Sequence, residues 1–115
     1  MNVLIVEDEV DFRESLVEIL EIKGHEAKGI GSIAEFAALA HKENFDLIVI
    51  DLILPDGDGL EILRLVRLNS KTPVVLVTGS SQCQSAIEAK LRPDLFITKP
   101  FAVQPLLKYV DQLSA

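Results

Sequence analysis

Three short stretches of this chain, residues 3–6, 47–50 and 74–77, are apolar and rich in β-branched side chains, and each is bounded by polar or turn residues. Runs of that length and composition predict strands buried on both faces, because a strand with one wet face would alternate. Elsewhere apolar residues recur at helical spacing: Phe12, Leu16, Ile19 and Leu20; Ile33, Phe36, Ala37 and Ala40; Val103, Leu106, Leu107 and Val110. Weaker patterns predict a polar strand over residues 26–30, helices over 60–68 and 82–90, and a strand over 95–98. The sum is five strands alternating with five helices.

Strict alternation of strand and helix implies a parallel sheet with right-handed crossovers and helices on both faces. The most apolar strands, the first, third and fourth, belong in the middle, which gives the order 2-1-3-4-5. A 3-2-1-4-5 order would put the second strand inside, where Lys28 and Gly29 fit badly. The predicted fold is therefore α/β, a flavodoxin-like (βα)5 doubly wound parallel sheet. In such sheets ligands bind at the carboxyl ends of the strands where the order reverses, here between strands one and three. The residues that follow the strands are Glu7 and Asp8, then Asp51, Thr78 and Lys99.

Composition narrows the function. With 115 residues, 49% hydrophobic and 25% charged, the chain is expected to fold as a single domain over residues 1–115. A formal net charge of -7 disfavours direct nucleic-acid binding, which needs a basic face to release counterions. The longest apolar run, residues 47–54, is interrupted by Asp51 and too short to span a bilayer, and the first residues lack a signal-peptide pattern, so no membrane partner and a cytoplasmic location are expected. Cys83 has no partner for an intrachain disulfide, and neither His25 nor His41 stands at a zinc-ligand spacing from it, so both histidines are expected to be solvated surface residues.

Three carboxylates at one sheet edge repel, an arrangement that calls for a neutralising proton or a cation. A small set of oxygen ligands suits Mg2+, which keeps several waters and bridges carboxylates to phosphoryl groups. Beside such an ion Asp51 can act as a nucleophile towards phosphorus, with Lys99 and the Thr78 hydroxyl on the same rim as electrophilic partners.

The run Leu4-Ile5-Val6-Glu7-Asp8-Glu9 resembles the acidic opening motif of response-regulator receiver domains of two-component signalling. Residues 48–59, Ile-Val-Ile-Asp-Leu-Ile-Leu-Pro-Asp-Gly-Asp-Gly, resemble the phosphoacceptor loop, Val77-Thr78-Gly79 the Thr motif, and Thr98-Lys99-Pro100-Phe101 the Lys-Pro motif. The match runs through essentially the whole chain, and four blocks in order are specific where each alone is not. The resemblance implies a phosphoacceptor that takes a phosphoryl group from a histidine kinase or phosphotransfer protein onto Asp51. Its output would be a switched protein-binding surface, read by an effector protein, an attached output domain or a homodimer formed on phosphorylation. It implies Mg2+ bound by Asp8, Asp51 and the backbone carbonyl of Ile53, with Glu7 acting through water. Lys99 and Thr78 would contact the phosphoryl group, Phe96 would move inwards with Thr78 as the switch, and the Lys99-Pro100 bond would be cis. Such a domain is a regulatory switch with weak self-phosphorylation and autophosphatase chemistry, not an enzyme in the ordinary sense. The sequence departs from the common pattern at Glu7, where Asp is more usual, and at Ile53 and Ser80.

Bland roles compete with these. Glu7 and Asp8 could serve the dipole of the first helix, Phe96 could be an edge-strand core residue, and Lys99 a solvated lysine. Two other functions can be weighed. An aspartyl-nucleophile phosphohydrolase wants a second Asp two residues after the nucleophile, where Ile53 stands. A cofactor-binding module wants a Gly-rich phosphate loop after the first strand, where Glu-Asp-Glu stands. The Asp56-Gly57-Asp58-Gly59 stretch fails as a calcium loop, since Arg67 replaces the final Glu.

Overall fold

A computed structural model of the chain describes residues 1–39, 42–78, 93–98 and 103–114. In chain order its elements are β1 (Asn2–Val6), α1 (Val10–Ile22), β2 (Glu26–Ile30), α2 (Ile33–Leu39), β3 (Leu47–Asp51), β4 (Ile53–Leu54), β5 (Gly57–Asp58), α3 (Leu60–Asn69), β6 (Val74–Thr78), β7 (Leu95–Thr98) and α4 (Gln104–Ser114). The helix expected over residues 82–90 lies outside the described residues.

The five long strands form one sheet in the order β2-β1-β3-β6-β7, and every adjacent pair is parallel. This is the order expected from the sequence, with the polar β2 at one edge. Every residue of β3 is buried. Period-two alternation divides the strand side chains between two cores. Leu4, Val6, Ile48, Ile50, Val74 and Leu76 pack with Phe36 of α2 and Ile62, Leu63 and Val66 of α3. Val3, Ile5, Leu47, Val49, Val75, Val77 and Ile97 face the other way, onto Leu16 and Leu20 of α1 and Leu106 and Val110 of α4. The helices thus cover both sides of the sheet.

The hairpin of β4 and β5 was not foreseen. Two residues per strand carry no periodicity, and the antiparallel pair Ile53 with Asp58 and Leu54 with Gly57 closes around Pro55 and Asp56. Helix α1 stops at a turn that needs glycine: Gly24 has φ +92°, its N–H donates to the Glu21 carbonyl, and the His25 N–H donates to the Leu20 carbonyl. His25, expected to be a solvated surface residue, is half-buried, with Nδ1 3.1 Å from the Met1 amino nitrogen.

The two cores make a checkable contrast. Ile5, fully buried, is expected to cost about 2–5 kcal/mol as Ile5→Ala. Leu68, 81% exposed, is expected to stay within about 0.5 kcal/mol of wild type as Leu68→Ala. Urea unfolding of the two variants measures both.

Candidate functional site

The chain runs from β1 through α1 to β2 on one side of β1, then through α2 to β3 on the other, so the strand order reverses between β1 and β3. Val6 pairs with Ile50 at the carboxyl end of that reversal. One residue further, Glu7 and Asp8 leave β1, and Asp51 is the last residue of β3.

Carboxylate oxygens of Glu7, Asp8 and Asp51 all lie within 4.8 Å of one another. Glu7 and Asp51 are buried, at 2% and 7% exposure, while Asp8 opens to solvent. Glu9, next in the acidic run, does something else. It is the N-cap of α1, and its carboxylate accepts the Phe12 N–H at 3.2 Å. The helix-dipole role considered for Glu7 and Asp8 therefore has a nearer candidate in Glu9.

Asp51 is set by its own loop. One of its oxygens accepts the Ile53 N–H at 3.1 Å. The Leu52 N–H donates to the Val77 carbonyl at 2.8 Å, and the Leu52 carbonyl accepts the Gly59 N–H at 2.7 Å. The loop folds back so closely that a Cβ on Gly59 would run into the Asp51 carbonyl oxygen and stand 2.9 Å from Ile50 Cγ2. Gly59 is needed for that approach, and nothing in the apolar pattern of the sequence marks it.

The Asp-Gly-Asp-Gly stretch, rejected as a calcium loop, finds its use here. Asp58, just before the Gly59 N-cap of α3, accepts the Leu60 N–H at 2.9 Å and so satisfies a free N–H of the first turn. Asp56 reaches across to α2, where its two oxygens accept the Ile33 N–H at 2.9 Å and the Ala34 N–H at 3.0 Å. These bonds from Ile33 and Ala34 hold the Asp56 carboxyl below its ordinary value of 3.8.

Of the other expected site residues, Ile53 stands two positions after the acceptor and is 71% exposed. Thr78 ends β6, one residue beyond the Val77 that pairs with Asp51, and pairs with Thr98 of β7. Lys99, the Lys99-Pro100 bond, Phe101, Gly79, Ser80, Cys83 and His41 lie outside the described residues. Phe96 is half-buried, paired with Leu76 and packed against the core on the α2 and α3 side.

The donor set can be tested against the ion it implies. Oxygens spread over 4.8 Å lie slightly wider than about 4.2 Å, twice a Mg–O bond. Small side-chain movement or a retained water closes that difference. Three carboxylates leave much of the coordination sphere to waters, which Mg2+ retains readily. The residues fit Mg2+.

The family profile described as response regulator receiver domain matches residues 3–111. The sensory transduction protein RegX3 of Mycolicibacterium smegmatis is 31% identical over 107 residues, which cover 92% of this chain and 47% of that protein. The chain spans about half the length of the curated relatives it matches. Among solved structures, the response regulator protein TrrA of Thermotoga maritima in complex with Mg2+ and beryllofluoride superposes with a TM-score of 0.86 at 28% identity, covering 97% of each chain. The beryllofluoride-activated NtrC4 receiver domain, solved as a dimer, superposes at 0.87 with 30% identity, covering 97% of this chain and 94% of that one.

The Asp56 cap predicts a pH signature. A carboxylate whose pKa is depressed on folding stabilises the fold above its unfolded value, and that stability is lost as pH falls through the folded value. Asp56→Ala is therefore expected to unfold at lower urea than wild type at pH 7. The gap should narrow once pH drops below 3.8, as measured by urea titrations at a series of pH values.

Proposed function

The chain belongs to the response regulator receiver domain family, and on that footing we propose that it accepts a phosphoryl group on Asp51 and answers by switching a protein-binding surface. The observation that carries this reading is the acidic cluster itself, with Asp51 at the end of the fully buried β3 and its carboxylate within 4.8 Å of those of Glu7 and Asp8.

In this mechanism an oxygen of the Asp51 carboxylate attacks the phosphorus of a phosphohistidine on a kinase or phosphotransfer protein. The O–P bond forms as the N–P bond breaks, and the imidazole leaves with the electron pair. The Ile53 N–H holds one Asp51 oxygen, which fixes how the carboxylate presents itself. We assign Asp8, Asp51 and the Ile53 carbonyl as direct ligands of Mg2+, with Glu7 acting through water. When bound, the ion supplies positive charge against the carboxylates and the phosphoryl oxygens.

Thr78 and Lys99 complete the assignment. Asp51 pairs with Val77, and Thr78 pairs with Thr98, so β6 and β7 end along the same sheet edge as Asp51, and Lys99 follows β7 in sequence. The Thr78 hydroxyl and the Lys99 ammonium would donate to the transferred phosphoryl group. Phe96 sits two positions before Thr98 on β7, and we assign it the switch role through movement of Thr78.

We treat residues 1–115 as a single receiver domain. Its output is then an effector protein, a domain joined to it, or a homodimer formed on phosphorylation. We also place it in the cytoplasm and without direct nucleic-acid contact; no helix among the described residues is long and apolar enough to cross a membrane. The only turnover assigned to it is slow hydrolysis of its own acyl phosphate.

Two experiments test this reading. Intact mass after incubation with acetyl phosphate is expected to rise by one phosphoryl group with Mg2+. It should not rise with a chelator, nor for Asp51→Ala. No addition to wild type despite uptake of Mg2+ would overturn the proposal. Ile53, 71% exposed and two residues after the acceptor, would hinder the attacking water. Ile53→Asn is accordingly expected to lose its phosphoryl group several-fold faster than wild type, followed by mass against time; equal decay would remove that role from Ile53.

A further inference from the structure

Arg13, in the first turns of α1, is half-buried. Its side chain lies across β2 and the residue that follows it, where the chain carries glycine at alternate positions. A Cβ on Gly29 would stand 2.8 Å from Arg13 Cγ and 2.9 Å from Cδ, and one on Gly31 would stand 2.8 Å from Nη1. Alternate residues share one face of a strand, so Gly29 and Gly31 together leave a trough that the arginine fills. At the end of the trough Nη1 donates to the Glu7 backbone carbonyl at 2.9 Å.

That bond matters because of where Glu7 sits. The Glu7 N–H already donates to the Ile30 carbonyl at 2.9 Å. With its carbonyl held by Arg13, the peptide groups on both sides of Glu7 are tied, one to β2 and one to α1. The second of them is the Glu7-Asp8 peptide, and its orientation decides where Asp8 projects. Asp8 is exposed, so packing does not place its carboxylate and the backbone must.

We propose that Arg13 is a positioning residue for the acidic cluster. By gripping the Glu7 carbonyl it keeps the Asp8 carboxylate within 4.8 Å of that of Asp51, near enough to share one divalent cation, and Gly29 and Gly31 are small so that it can. This rests on the reading of Glu7, Asp8 and Asp51 as a Mg2+ site.

Electrostatics alone gives the opposite sign, which makes the idea testable. A cation near an acidic cluster competes with a metal ion, so if Arg13 acted only through its charge, removing it would tighten Mg2+ binding. Positioning predicts weaker binding, by about tenfold or more, the usual effect of removing a group that orients a metal ligand. The measurement is calorimetric titration of the whole chain with MgCl2, at a temperature where unfolding curves show each variant folded.

Arg13→Ala is expected to weaken binding, and Arg13→Lys to recover much of the loss. Gly31→Ala keeps every charge but pushes the far end of a flexible side chain off the Glu7 carbonyl. It should weaken binding in the same direction, and it serves as the second variant if Arg13→Ala does not fold. In the metal-free protein the Asp8 amide resonance is expected to move in Arg13→Ala and Gly31→Ala. Unchanged or tighter Mg2+ binding in either folded variant would overturn the role of Arg13, while loss of binding in Asp8→Asn would leave the metal site itself standing. A wild-type chain that takes up no Mg2+ would bring down both readings.

Discussion

Like charges a few ångströms apart repel, and in a site shielded from water they repel more strongly. Glu7, Asp8 and Asp51 are nevertheless kept within 4.8 Å of one another, two of them buried. What holds them is the sheet. β1 and β3 are adjacent, parallel and in register, so the residues that leave their carboxyl ends emerge side by side. The strands cannot slip to relieve the repulsion, because a shift of one residue would turn both cores inside out. Burial of Leu4, Val6, Ile48 and Ile50 on one face and of Val3, Ile5, Leu47 and Val49 on the other thus does the work of assembling the cluster. On the proposed reading, this stored repulsion is what draws a cation to the site, and with a cation in place a phosphoryl group.

The loop that follows β3 is tied through hydrogen bonds to backbone groups. Asp51 receives the Ile53 N–H, Gly59 lets its own loop fold back over the Asp51 carbonyl, and Asp56 and Asp58 tie that loop to α2 and α3. A charge added at Asp51 would be felt along these ties, since an acyl phosphate brings negative charge and strong acceptor oxygens to a rim already bounded by Thr78 and the end of β7.

Much of this was legible in the sequence. The β-branched runs at residues 47–50 and 74–77 declare central strands, and the polar second strand declares an edge, so the order follows from burial alone. The brackets of the site, Glu7, Asp8 and Asp51, follow from the order. Contacts between residues far apart in sequence were not legible. Asp56 caps a helix 22 and 23 residues before it, and no local pattern encodes that. The β4 and β5 hairpin is too short to show alternation. Arg13 reads in the sequence as one more polar helix position, and Gly29 as a poor strand residue. Only when α1 lies against β2 do the two explain each other. His25 was misjudged for a similar reason, because its half-burial comes from the chain start folding beside it.

The central claim is that Asp51, among three neighbouring carboxylates, is the one that forms the acyl phosphate. Borohydride reduces an acyl phosphate to the alcohol, so a phosphorylated aspartate becomes homoserine and can be located by peptide mass mapping. After treatment with acetyl phosphate and Mg2+, followed by borohydride, homoserine is expected at position 51, with Glu7 and Asp8 intact. Reduction at Glu7 or Asp8, or recovery of unmodified Asp51 from protein that had gained a phosphoryl group, would contradict the account.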